Sequence, residues 1–218
     1  MTPTLKIAAF AFISSAAACA QAGTLTAGFT YDHPVTVRIN TGPVTGDVRT
    51  VDFRWTRTDT PGPGVDSTVA REFRSFCFEL DQTIRSSRSY TFNVRSLAEA
   101  GFSLDTELAV QSLWSARINE TNTATGNAAF QLALWELRYD ADRRLDTGLF
   151  TVGGSSAAIT LAQSWLNGLS DTTTVRDLPT LRLLDHPDAQ NQIVEIPEPG
   201  AIACMLAGLG LLRRRRIR

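Results

Sequence analysis

The chain has 218 residues, 43% hydrophobic and 20% charged, with 21 Lys plus Arg against 22 Asp plus Glu for a formal net charge of −1. This composition excludes a disordered acidic chain, a collagen-like repeat and a polytopic membrane protein, and the lack of basic excess argues against nucleic-acid binding. Charge is unevenly placed, however: Lys6 is the only Lys, five Arg sit in the last six positions, and residues 23–212 hold 15 Arg against 22 acids, a net of −7.

Residues 1–22 read as a secretory signal peptide. Lys6 is the positive head, residues 7–13 are a short apolar core, and Ala18-Cys19-Ala20 and Ala20-Gln21-Ala22 offer small-residue cleavage sites. Residues 23–195 then form one extracytoplasmic domain, long enough to bury a core of its own. Val51, Phe53 and Trp55 alternate with Asp52 and Arg54, which predicts a half-buried strand before the Pro- and Gly-rich loop at 58–64. Residues 71–80 and 90–94 also read as strands, the second with Tyr90, Phe92 and Val94 on one face.

The period then changes. Leu108, Val110, Leu113, Trp114 and Ile118 recur at helical spacing, with Asp105 placed to cap. A polar loop at 119–126 precedes a second helix from about Asn127, with Phe130, Ala133, Leu134 and Leu137 as one apolar stripe. A third helix is predicted over 156–167, stopped by Gly168, and strand character returns at 173–184 and 192–196. The expectation is an α+β fold: an antiparallel, sandwich-like sheet with an inserted block of about three helices.

The end of the chain carries a second address. Pro197-Glu198-Pro199 breaks regular structure, residues 201–212 are apolar or small, and Arg213, Arg214, Arg215 and Arg216 follow. Twelve helical residues reach only ~18 Å, short of the ~30 Å hydrocarbon core, and the Arg cluster holds the cytoplasmic side. Residues 196–218 resemble the PEP-CTERM sorting signal of Gram-negative bacteria. The resemblance implies recognition by an exosortase-type membrane enzyme, a precursor transiently anchored in the inner membrane, and a final place at the cell surface or in the extracellular polysaccharide matrix.

Cysteine usage narrows the chemistry. Cys19 and Cys204 lie in the two address segments, so the domain keeps only Cys77 and has no internal disulfide. One reading is an ordinary buried thiol. The other pairs Phe76-Cys77-Phe78 with Phe130-Gln131-Leu132-Ala133-Leu134-Trp135: a thiol attacking a nearby Gln carboxamide would expel ammonia and leave an internal thioester, provided that apolar neighbours keep water away. Phe76, Phe78 and Trp135 are the candidate shields. These two segments resemble the thioester domain of bacterial surface adhesins, which implies Cys77 as the thiol partner, Gln131 as the acyl partner and an amine-bearing ligand that opens the bond. Beyond Lys6 the chain has no Lys to quench such a bond internally.

Other chemistries find less support. His33 and His186 each sit in an Asp-His-Pro tripeptide that reads as a turn, and no zinc spacing occurs. Asp140, Asp142 and Asp146 could ligate calcium but lack the EF-hand pattern and read as solvated helix-end charge. Glu79 and Asp81 could serve as paired carboxylates in a glycosidase, without further active-site features. The sequence therefore predicts an exported surface protein acting in attachment, not an enzyme, with no metal or cofactor. A noncovalent carbohydrate- or matrix-binding module with Cys77 as core is the alternative.

Overall fold

The structure is a computed structural model that describes residues 23–140, 142–169 and 178–196. The signal peptide, the sorting motif Pro197-Glu198-Pro199 and the cluster Arg213–Arg216 lie outside the described residues. Seven strands follow in chain order: β1 (Gly23–Thr41), β2 (Gly46–Arg57), β3 (Glu72–Cys77), β4 (Ser89–Arg95), β5 (Thr151–Gly153), β6 (Thr180–Asp185) and β7 (Gln192–Ile196). Three helices, α1 (Leu104–Arg117), α2 (Ala124–Tyr139) and α3 (Ala157–Asn167), are inserted after β4.

The fold is α+β, and all pairings between these strands are antiparallel, in the order β2-β3-β7-β6-β4-β1-β5. Because β1 also pairs with β2, six of the strands close into a ring, where a sandwich-like sheet was expected. One long strand makes this closure. Its first residues, Gly23 to Gly28, face β4, the span Ala27 to Ile39 faces β2, and Arg38 to Thr41 face β5. The register slips between Asp32 and Val35, with His33 at φ 52. The first Asp-His-Pro is thus a bulge inside the β1–β2 pairing rather than a turn.

Alternation along the strands fills the ring. Leu25, Ala27 and Phe29 of β1, Val51, Phe53 and Trp55 of β2, and Phe92 and Val94 of β4 are all buried. Trp55 centres an aromatic cluster, with the rings of Phe29 at 4.7 Å, Phe92 at 5.4 Å and Phe73 at 6.0 Å. Asp52, predicted to point outward, is buried instead. Arg54 Nη2 at 2.7 Å and Arg74 Nε at 2.6 Å supply the compensating charge that burial of a carboxylate demands.

The helices have short polar caps. Ser103, not Asp105, caps α1: its Oγ accepts from Thr106 N at 3.2 Å, while Asp105 lies in the first turn where the helix dipole favours an acid. Thr123 caps α2 through Gly126 N at 3.0 Å, so this helix starts three residues before Asn127. Gly126 is needed there, since a Cβ would lie 2.0 Å from the Glu120 carbonyl oxygen. Ser156 and Gly168 bound α3 as predicted. The one-stripe expectation for α2 is corrected: every residue from Gly126 to Leu137 is buried, because α1, α3, β1 and β2 surround the helix.

Candidate functional site

β3 brings Cys77 to the place where two neighbours of the sheet diverge. The β2–β3 ladder runs only as far as Ser75, whereas on the other side β3 pairs with β7 through Phe76 with Ile193 and Cys77 with Gln192. Phe78 N donates to Asn191 O at 2.9 Å, so by strand alternation the N–H and C=O of Cys77 face away from β7, into the gap left by β2. Gln131 of α2 fills that gap. Its Oε1 accepts from Cys77 N at 3.0 Å and its Nε2 donates to Cys77 O at 2.7 Å, as a further strand would. The structure thus brings Gln131 to Cys77, as predicted, but onto the main chain and not the sulfur.

The sulfur has a different carboxamide. Cys77 Sγ donates to Gln190 Oε1 at 2.9 Å, and Gln190 Nε2 donates to Glu79 O at 2.8 Å. That second bond fixes the amide: a carbonyl oxygen can only accept, so the NH2 of Gln190 faces Glu79 and its acyl oxygen faces the thiol. Gln192 is held by the same logic. Trp55 Nε1 donates to Ser75 Oγ at 2.7 Å, so the one hydroxyl proton of Ser75 goes to Gln192 Oε1 at 2.8 Å. The Gln192 NH2 is left facing the sulfur at 3.8 Å and Gln190 O at 3.3 Å.

Burial pushes the Cys77 thiol up to about 12, partly offset by the Gln192 N–H directed at it. Cys77 and Gln190 line a cleft of about 620 Å³ whose other walls include Phe29, Tyr31, Arg49 and Leu80. Both residues are buried, so the thiol and the Gln190 carboxamide meet within the wall of this cleft.

The predicted shields occupy other places. Phe76 and Phe78 alternate with Cys77 and project from the opposite face of β3, where Phe76 meets Phe130 at 4.6 Å and Phe78 meets Phe102 at 5.0 Å. They anchor β3 to the helical layer. Trp135 is fully buried beside Phe150, at 6.5 Å between ring centres. Phe29, Val51, Phe53 and Leu80 are instead the apolar residues that line the cleft with Cys77.

The remaining candidates separate. Glu79 is a clasp: Oε1 accepts from Asn191 N at 2.9 Å and Oε2 from Asn191 Nδ2 at 3.1 Å, holding the β6–β7 turn that carries Gln190. Burial raises its carboxyl above the usual range, with the Asn191 N–H opposing and Asp81 adding to the rise. Both acids lie beyond the end of β3, and Asp81 is exposed. His186 closes a turn by accepting from Asp188 N at 3.0 Å through Nδ1. Asp146 pairs with Arg144 at 3.0 Å, apart from the grouping of Asp140 and Asp142 with Glu136.

Gln190 and Gln192 were missed in the sequence because residues 185–191 fall between two predicted strands and Gln192 was read only as the start of the second. A Gln opening the apolar run Ile193-Val194 was the available signal: a polar residue on a buried strand needs a buried partner. Compared with protein-family models, curated proteins and solved structures, the chain matches none of them. Among the described residues, no helix is long and apolar enough to cross a membrane.

Proposed function

We propose that the protein is an exported surface or matrix component whose domain closes an internal thioester between Cys77 and Gln190, and that a primary amine on a partner surface opens it. The observation that carries this reading is the 2.9 Å contact from Cys77 Sγ to Gln190 Oε1. The acyl carbon lies one C=O bond, about 1.2 Å, behind that oxygen. In the closing step Sγ bonds to that carbon, the C–N bond breaks, and the thiol proton leaves on nitrogen as ammonia through the cleft. In the opening step an amine nitrogen replaces sulfur, forming an amide and returning the proton to Sγ. Neither step changes oxidation state. Each molecule reacts once, so this is capture and not turnover.

Under this reading the two glutamines have different parts. Gln190 supplies the acyl group, in place of Gln131 expected from the resemblance, and Gln131 holds the strand that presents the sulfur. Residues Pro197-Glu198-Pro199 and Arg213–Arg216 remain the basis for proposing exosortase sorting to the envelope. Incubation with methylamine, followed by peptide mapping, tests the assignment. The methylamide is expected on Gln190, is lost in Gln190→Ala and Cys77→Ala, and persists in folded Gln131→Ala. A methylamide on Gln131, or none in the wild-type chain, would overturn it.

A second reading has its own support. A thiol pushed up to about 12 is inert in its resting form, which suits a noncovalent module that uses the 620 Å³ cleft. Under that reading Cys77→Ala leaves attachment to the matrix intact; under the covalent reading it abolishes attachment that survives denaturant.

A further inference from the structure

We propose that Glu136, Asp140 and Asp142 form a binding site for one hard divalent cation of the calcium class. One oxygen from each of these carboxylates can be chosen so that all three lie within 4.8 Å of one another. Ligands 2.3–2.6 Å from a shared ion can stand about that far apart, so a single Ca²⁺ can reach all three. The donor set is all oxygen and all anionic, which selects a hard ion over zinc or copper.

Glu136 supplies the observation that points to a ligand. It is fully buried, one carboxylate oxygen accepts from Arg144 N at 2.9 Å, and the other, Oε2, is buried without a hydrogen-bond partner. The same Arg144 N–H also serves Asp142 Oδ1 at 2.8 Å, so one donor is divided between two carboxylates. An uncompensated buried carboxylate is among the costliest groups a fold can carry.

Its location sharpens the case. Glu136 is in the last turn of α2 and Asp140 is its C-cap, at the end where the helix dipole disfavours anions and favours cations. Arg144 pairs with Asp146 at 3.0 Å, and Arg138 lies 4.7 Å over the Phe102 ring. Burial first, and then Asp142 and Asp140, push the Glu136 carboxyl up to about 8, the response of an acid crowded by others. Gly148 lets the loop close on this group: it has φ +92, and a Cβ there would lie 1.9 Å from Asp140 Oδ2. A cation would tie the end of α2 to the loop leading into β5, and so brace the helix that carries Gln131. The site differs from the calcium ligands weighed in the sequence, since Asp146 is replaced by Glu136.

The test is thermal unfolding of the purified protein in EDTA, in CaCl2 and in MgCl2, together with terbium luminescence on the wild-type chain. Calcium is expected to raise the Tm by about 5 °C or more at a hundredfold excess over its Kd, rising further with the logarithm of concentration. Terbium emission should appear on binding and be displaced by calcium. Asp142→Asn, an exposed position that keeps its acceptor oxygen, and Glu136→Gln should lose both effects, while Asp146→Asn keeps them. Equal Tm in EDTA and in both salts with no terbium binding would mean that a shared proton alone neutralises the cluster, and would overturn the site. So would a shift that survives Asp142→Asn.

Discussion

Around Cys77, each of three glutamine carboxamides has its orientation set by a group that can only donate or only accept: the Cys77 amide, the Glu79 carbonyl and, through Ser75, the Trp55 indole. Two consequences can be measured on single residues. Gln131→Ala leaves a buried N–H and C=O of Cys77 unpaired, which should cost about 2–4 kcal/mol in denaturant unfolding. The second concerns the thiol in a chain that cannot form the thioester, Gln190→Ala. Burial raises the native thiol from its ordinary 9.0 to about 12, so the unfolded chain loses its proton first as pH rises. The contribution is fully present below about pH 9 and is lost towards pH 12. Stability at about pH 10 should therefore be about 1 kcal/mol lower than at about pH 8, a difference absent when Cys77→Ala is added.

The elements show which parts of this arrangement the sequence could disclose. Period-two patterns in β2 and β4 and the Gly168 stop of α3 are local signals, and they located those elements. Helix α2 was placed but its surroundings were not, because a local stripe cannot tell a helix covered on one face from one enclosed by four neighbours. The Cys77–Gln131 proximity was legible from two segments, yet which atoms meet depends on where the β2–β3 ladder stops. The Gln190 contact depends on a cross-strand register between residues 113 apart in sequence. Enclosure of α2 predicts severe core effects: Leu132→Ala should cost about 2–5 kcal/mol, while Thr123→Ala, which removes only the cap, should cost about 1 kcal/mol, both by denaturant melts.

For the whole molecule, β1 closes the ring with residues that precede its bulge, and the bulge interrupts its ladder with β2. His33 at φ 52 is tolerable for His or Gly but strained for a β-branched side chain. His33→Val should lower stability by about 1–2 kcal/mol, with His33→Gly close to wild type. Closure also sets Cys77, Gln190 and Gln192 in one buried cluster at the foot of a cleft, and that cluster is the basis of the proposed attachment chemistry. Intact mass of the exported wild-type protein, unfolded in the presence of an alkylating reagent, decides whether Cys77 is acylated. Native thiol reactivity would not, because a thiol raised to about 12 is silent whether or not it is bonded. A thioester gives a chain lighter than its processed sequence by one ammonia that takes up no alkyl group at Cys77, which is the expected result. A chain of full mass that gains one alkyl group at Cys77 would contradict it.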